Sequence, residues 1–338
     1  MNLQLAWYVL IAVLLAGYAV LDGFDLGIGA LYPYLTRSKE ERAALRSAIG
    51  PVWDGNEVWL VTGGGALFAA FPPVYAMAFS GFYIAIMLVL WGLILRAVAL
   101  EFHARDEHRG TLWDLAFHIG SLLPALLLGV ALGNVIRGVP LNAQGDYTGT
   151  FWQLLNPFSL LVGVSGLAMF VSHGAFWAAL KTEGQLQLRA ARVRFWAHLL
   201  FLALMVITTI YAAFEVSDRA RHVVTRPLGW AMIGAFVGGA VLARVGMARK
   251  RDLAAFIGSA LSVAAVMGIA AVGNYPDIVP ARGSAASTAL TATGSSSSNL
   301  TLTAMLVVAA LGMPVVVGYS LLIYHTFRGR SPLGGDGY

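Results

Sequence analysis

Apolar residues run along almost the whole chain and fall into long stretches separated by short polar connections. A hydrocarbon core of about 30 Å is crossed by about 20 apolar residues in a helix. Nine segments meet that standard: Leu5–Gly27, Asp54–Phe71, Val74–Glu101, Trp113–Ile136, Pro157–Leu180, Arg194–Phe214, Leu228–Met247, Leu253–Val272 and Thr301–Tyr324. The second is short and rich in glycine (Gly63, Gly64, Gly65). The pattern predicts an all-α polytopic membrane protein, a single integral-membrane domain over residues 1–338 with nine transmembrane helices. Short connections favour antiparallel packing of consecutive helices. The longest, Gly273–Leu300, ends in the serine run Ser295–Ser298 and reads as a flexible surface loop. Glu183–Trp196 reads as a basic helical extension into the sixth span, resting at an anionic membrane surface rather than on nucleic acid. The first segment lacks the basic leader, short apolar core and small-residue site of a cleavable signal.

Composition supports this reading. Of 338 residues 58% are hydrophobic and only 12% charged, with a mean hydropathy of +0.73. A soluble domain carries roughly twice that charge fraction. The chain has no cysteine, which excludes disulfides, thiolate metal sites, iron–sulfur ligation and cysteine nucleophiles. Motifs for hydrolytic or nucleotide chemistry are absent: the chain has neither Gly-x-Ser-x-Gly nor His-Glu-x-x-His.

The net charge of +5 becomes informative once the charges are placed. Lys and Arg concentrate on alternate connections: Arg37, Lys39, Arg42 and Arg46; Arg105 and Arg109; Lys181, Arg189, Arg192 and Arg194; Arg244, Arg249, Lys250 and Arg251; and Arg328 and Arg330 in the tail. The opposite side carries only Arg137, Arg219, Arg221, Arg226 and Arg282. Basic connections stay in the cytoplasm, so the expected orientation is N-terminus outside and C-terminus inside.

Ionisable groups inside a span cost a few kcal/mol and point to function. Asp22 and Asp25, in Leu21-Asp22-Gly23-Phe24-Asp25-Leu26-Gly27, stand three residues apart on one helical face. Asp54 and Glu57, in Gly50-Pro51-Val52-Trp53-Asp54-Gly55-Asn56-Glu57-Val58-Trp59, repeat that spacing near a helix start, where the dipole favours carboxylates. Arg96 and Glu101 lie near the inner end of the third span. Topology brings all six to the inner third of the bilayer. Crowded, desolvated carboxyls retain protons, which suits a proton-loading site. The plainer alternative is an Arg96–Asp clamp with helix caps at the interface, Glu101 being merely interfacial and Trp53 and Trp59 acting as anchors. His118, His173 and His198 fall within or at the ends of spans four to six and are the candidate haem ligands, although an intramembrane histidine more often hydrogen-bonds a neighbouring helix. The other histidines, His103, His108, His222 and His325, lie in connections or span ends.

The stretches from Asp22 to Gly27 and from Gly50 to Leu60, then Gly64-Gly65-Ala66-Leu67-Phe68-Ala69-Ala70-Phe71-Pro72, resemble subunit II of the cytochrome bd quinol oxidases. Ser80-Gly81-Phe82-Tyr83, Leu95-Arg96-Ala97-Val98, Gly120-Ser121 with Pro124, and Asn156-Pro157-Phe158 continue the match in the same order. The resemblance is dense over residues 5–181 and thins to hydropathy and length beyond. It implies two four-helix bundles plus a peripheral helix, in a bacterial inner-membrane oxidase that oxidises quinol and reduces oxygen with protons from the cytoplasm. It also implies no cofactor in this chain, with haem b and haem d in a partner, subunit I, that this chain stabilises and serves by lining proton or oxygen routes. A structural quinone and a small single-span accessory subunit stay open. Asp25, Trp53, Asp54, Trp59 and Arg96 fall on family positions, as do Asp22 and Glu57, the last replaced by Gln in some relatives. The combined expectation is a proton path through Asp22, Asp25, Asp54 and Glu57 ordered by Arg96, with Trp53 and Trp59 at the subunit interface or oxygen route. Two other functions use the same residues: a stand-alone proton-coupled transporter, and a haem-bearing cytochrome subunit using His118, His173 or His198.

Overall fold

In a computed structural model, residues 2–103, 109–283 and 288–331 are described; Arg105 and His108 lie outside them. Fourteen helices are present among these residues: α1 (Leu3–Leu21), α2 (Gly23–Leu35), α3 (Lys39–Ser47), α4 (Trp53–Ala70), α5 (Pro72–Gly81), α6 (Tyr83–His103), α7 (Gly110–Arg137), α8 (Phe151–Leu154), α9 (Pro157–Lys181), α10 (Gly184–Glu215), α11 (Ser217–Thr225), α12 (Pro227–Ala248), α13 (Asp252–Asn274) and α14 (Asn299–Thr326). Two short strands, β1 (Asp277–Val279) and β2 (Leu290–Thr291), pair antiparallel.

Eight helical segments among the described residues are long and apolar enough to cross a membrane. The segment expected as the second span is helical as α4, but Asp54, Asn56 and Glu57 in its first turns leave it outside that group. Helix α1 does not stop where the first span was expected to end. Asp22 keeps helical torsions (φ −86°, ψ −17°), its N–H donates to the Tyr18 carbonyl, and its carbonyl accepts from Leu26 N–H, so Leu3–Leu35 forms one 33-residue segment. At 1.5 Å per residue this is about 50 Å, and its lower part is interior: Phe24, Leu26, Ile28 and Leu35 are fully buried. The third span is divided at Phe82 (φ −99°, ψ 22°), where α5 meets α6.

Helix α9 is the packing centre, contacting α2, α7, α10 and α13, whereas α14 is the most peripheral membrane helix, touching α1 and α4. Close approach at the centre depends on glycine. A Cβ on Gly27 would overlap the Phe170 carbonyl of α9, and one on Gly174 would lie 2.5 Å from Ile28 N.

Ion pairs gather connections at two ends of the bundle. At one end Arg42 meets Asp114 at 2.7 Å, Arg189 meets Glu41, and Arg194 meets Asp252 at 2.7 Å. At the other, Arg137 and Arg282 share Glu215 at 2.8 and 3.0 Å, and Arg219 meets Asp277 at 2.8 Å. This is the alternation the basic residues predict.

The connection expected to be a flexible surface loop is instead packed where it is described. Val279, Leu290 and Ala292 are buried against the ends of α1, α4 and α5. Val139 bridges to Ala281, and Ser297 donates its N–H to the Ala70 carbonyl at 2.9 Å. The serine run works as caps: Ser297 closes the end of α4, and Ser298 accepts from Thr301 N–H at the start of α14. Polar composition predicted a solvated loop; long-range backbone bonding satisfied the same groups within the fold.

Candidate functional site

Arg96 is the largest fully buried side chain among the described residues. It reaches this depth because α6 and α7 meet closely. A Cβ on Gly120 would lie 2.6 Å from Arg96 N, and one on Gly92 would lie 2.6 Å from Pro124, so only glycine permits this spacing. Arg96 Nη2 donates to Asp22 Oδ1 at 2.8 Å and to Glu57 Oε1. Asp22 is fully buried, and the Glu57 side chain is 24% exposed. The Arg96–Asp clamp is thus formed, and Glu57 is its second arm. Removing either partner would strand a buried charge.

Asp25, also fully buried, belongs to the same cluster through an intermediary the residue spacing did not single out. Asn56 Nδ2 donates to Asp25 Oδ2 at 2.7 Å and to the Leu21 carbonyl at 3.0 Å, while the Tyr324 hydroxyl donates to Asn56 Oδ1 at 2.9 Å. One amide therefore joins α1, α2, α4 and α14. Its signal was present in the sequence: an amide at the start of an apolar helix, between the carboxylates Asp54 and Glu57 and three residues from both Trp53 and Trp59.

Asp54 is not brought to this cluster by any direct bond. It stands on the exposed face of α4 and makes no ion pair among the described residues. Glu101 is exposed at the end of α6. Trp53 and Trp59 are half-buried, and the Trp59 ring fills the notch left by Gly17 on α1. Gly55, Gly64 and Gly65, on the same helix as Asp54, have no neighbouring atom within 4 Å of a Cβ position, so this face of α4 is open.

The three candidate haem ligands are engaged separately. Both ring nitrogens of buried His173 are bonded, Nδ1 with Ser259 Oγ at 2.9 Å and Nε2 with the Val20 carbonyl at 2.9 Å. His118 Nδ1 lies 3.1 Å from the Gly29 carbonyl. His198 is buried on α10, edge-on to Phe176. His173 thus serves as a tie between α9, α13 and α1. No group of three or more His, Cys, Asp or Glu positioned to hold a metal ion occurs among the described residues.

A buried guanidinium clamping acids from two helices thus stands beside an acid–amide–phenol chain inside an apolar bundle. Residues 3–327 match the family described as cytochrome bd terminal oxidase subunit II. The chain belongs to that family. It is 37% identical to the probable cytochrome oxidase subunit 2 of Haemophilus influenzae, over 97% of this chain and 95% of that one. It is 35% identical to the cytochrome bd-I ubiquinol oxidase subunit 2 of Escherichia coli K12, over 97% and 95%. Against the cytochrome bd ubiquinol oxidase subunit 2 of Bacillus subtilis it is 33% identical, over 96% and 95%. A chain in the solved bd oxidase of Geobacillus thermodenitrificans shares the fold, with a TM-score of 0.81 over 97% of this chain and 99% of that one at 17% identity. Membership in this oxidase-subunit family sets the stand-alone transporter reading aside.

Proposed function

We propose that this chain is the second subunit of a bd-type quinol oxidase in a bacterial cytoplasmic membrane, packed against a haem-bearing subunit I. In this reading the complex oxidises quinol and reduces oxygen, haem b and haem d belong to the partner, and the haems supply the electron chemistry. Full-length similarity to ubiquinol oxidase second subunits supports the assignment. The occupied nitrogens of His173 support reading this chain as the haem-free member. The basic connections support an orientation with the N-terminus outside and the C-terminus in the cytoplasm. We further read α4, despite its polar first turns, as a ninth membrane-crossing helix, with α14 as the helix peripheral to two four-helix bundles.

The buried Arg96 cluster carries the functional reading. Three carboxyls, Asp22, Asp25 and Glu57, stand around one guanidinium, which leaves acids in excess of cations in a water-poor interior. Such a site can take up and release protons more readily than a balanced pair. Glu57 is the member partly open to the surroundings, so it serves as the port, and Arg96 holds it against Asp22. Asn56 fixes the orientation of Asp25 without itself exchanging charge. Asp54, on the open face of α4, meets the partner subunit and continues the proton route there, while Trp53 and Trp59 border the interface or oxygen path.

Asp25→Asn and Asp54→Asn, compared for oxygen consumption, proton uptake and haem content of the purified complex, test this assignment. Both should lower turnover with haem retained. Full turnover and normal proton uptake in both would remove the relay, and loss of haem would make the two acids assembly determinants.

A further inference from the structure

Helices α10 and α12 lean together at the end of the bundle that carries the basic connections. They touch through the Phe201 and Phe236 rings, 6.1 Å apart, and again where the Arg244 guanidinium lies 4.5 Å above the Phe195 ring. Beside these contacts α12 presents Val237 and Val241, each more than half exposed, so the crevice between the two helices has an apolar, open flank.

Arg244 is the anomaly in this crevice. Its side chain is half-buried, and its guanidinium makes no hydrogen bond or ion pair among the described residues. Asp252, the carboxylate that begins α13, is already bound by Arg194 at 2.7 Å and approached by Arg330 at 3.7 Å. Stacking on Phe195 holds the guanidinium in place with its donors unused. Exposed Arg192 sits one turn before Phe195, and exposed Trp196 follows it. Arg249, Lys250 and Arg251 extend the positive surface past the end of α12.

We propose that Arg244, Arg192 and the α10–α12 crevice form a site for one anionic glycerophospholipid, its phosphate on Arg244 and one acyl chain along Val237 and Val241. The planar guanidinium presents paired donors that match a phosphate. Trp196 stands where an aromatic side chain marks the headgroup level, and the neighbouring cations favour an anionic lipid over a zwitterionic one. The inference rests on the membrane reading of the fold, and it is independent of the proton site.

Native mass spectrometry of the full chain with the subunits that accompany it, titrated with phosphatidylglycerol after delipidation, tests the site. The expected result is one tightly held phosphatidylglycerol, with Arg244→Gln weakening it about ten-fold, the loss of a charge-assisted hydrogen bond rather than of one diffuse cation. Arg244→Lys should retain part of the affinity, and Arg249→Gln should change it less than two-fold. Val241→Trp fills the crevice at an exposed position without altering charge and should weaken binding as much as Arg244→Gln, which keeps the test open if the arginine variant folds poorly. Equal losses for Arg244→Gln and Arg249→Gln would mean diffuse attraction and overturn the proposal. Equal binding of phosphatidylcholine, or displacement of the lipid by inorganic phosphate, would overturn it too.

Discussion

Asn56 donates its side-chain amide to Asp25 across 2.7 Å, so the two residues form a neutral–acid contact buried between α4 and α2. The same amide accepts from Tyr324 at 2.9 Å, which ties the peripheral helix α14 to the centre of the site. Asn56→Ala should therefore strand both partners. An unsatisfied buried polar group costs about 1–3 kcal/mol, and the expected outcome is a lower melting temperature of the purified complex together with reduced oxygen consumption. An unchanged melting temperature would show that the amide does not tie the helices.

Arg96→Ala removes the only cation that contacts Asp22 and Glu57 among the described residues. Breaking a buried pair from one side costs about 3–5 kcal/mol, so the variant should assemble poorly. Arg96→Ala combined with Asp22→Asn should recover part of the yield, because it no longer leaves that carboxylate facing nothing. Size-exclusion yield of the single and double variants measures the recovery.

Gly27→Ala should destabilise the chain by more than about 1–3 kcal/mol, the usual cost of an overpacked contact. The added methyl meets the backbone of α9 at Phe170, which cannot turn aside as a side chain would. Gly64→Leu has the opposite signature. Its position is open, so the fold of this chain should survive, while a partner packed on α4 is displaced. Native gel electrophoresis of both variants separates a folding defect from an assembly defect.

Glu41 lies outside the spans, on α3. Burial would raise its pKa, but the Arg189 guanidinium and the Arg37 N–H outweigh that and hold the carboxyl below its usual 4.5. A depressed carboxylate stabilises the fold fully above its unfolded pKa and loses that contribution as pH falls through the folded value. Glu41→Gln should therefore lower the melting temperature at pH 7 and make progressively less difference below pH 4.5. A gap between the two proteins that stays constant down to pH 3 would remove this linkage.

The predicted site was legible in part. Asp22, Asp25, Glu57 and Arg96 stand out because a charge inside an apolar run is costly wherever the helices go. The Asp54/Glu57 spacing suggested a pair, yet spacing on one helix does not say which face turns inward. The rotation of α4 turned Asn56 and Glu57 towards Arg96 and Asp25 and left Asp54 outside. Tyr324 was invisible for a similar reason: it is 268 residues from Asn56, and only the docking of α14 brings them together.

Sequence by itself determined the membrane class, the approximate spans and the alternation of basic connections, because hydropathy and charge act on each segment locally. It also identified the family, through ordered motifs in the first half of the chain. Tertiary structure decided the continuation of α1 through Asp22 into a buried α2, the break at Phe82 and the packing of the long connection over α1, α4 and α5. It decided as well that His173 bonds two other helices. Each of these depends on which atoms from distant segments meet, since a buried polar group or a missing Cβ acquires its meaning only from the neighbour that packing supplies.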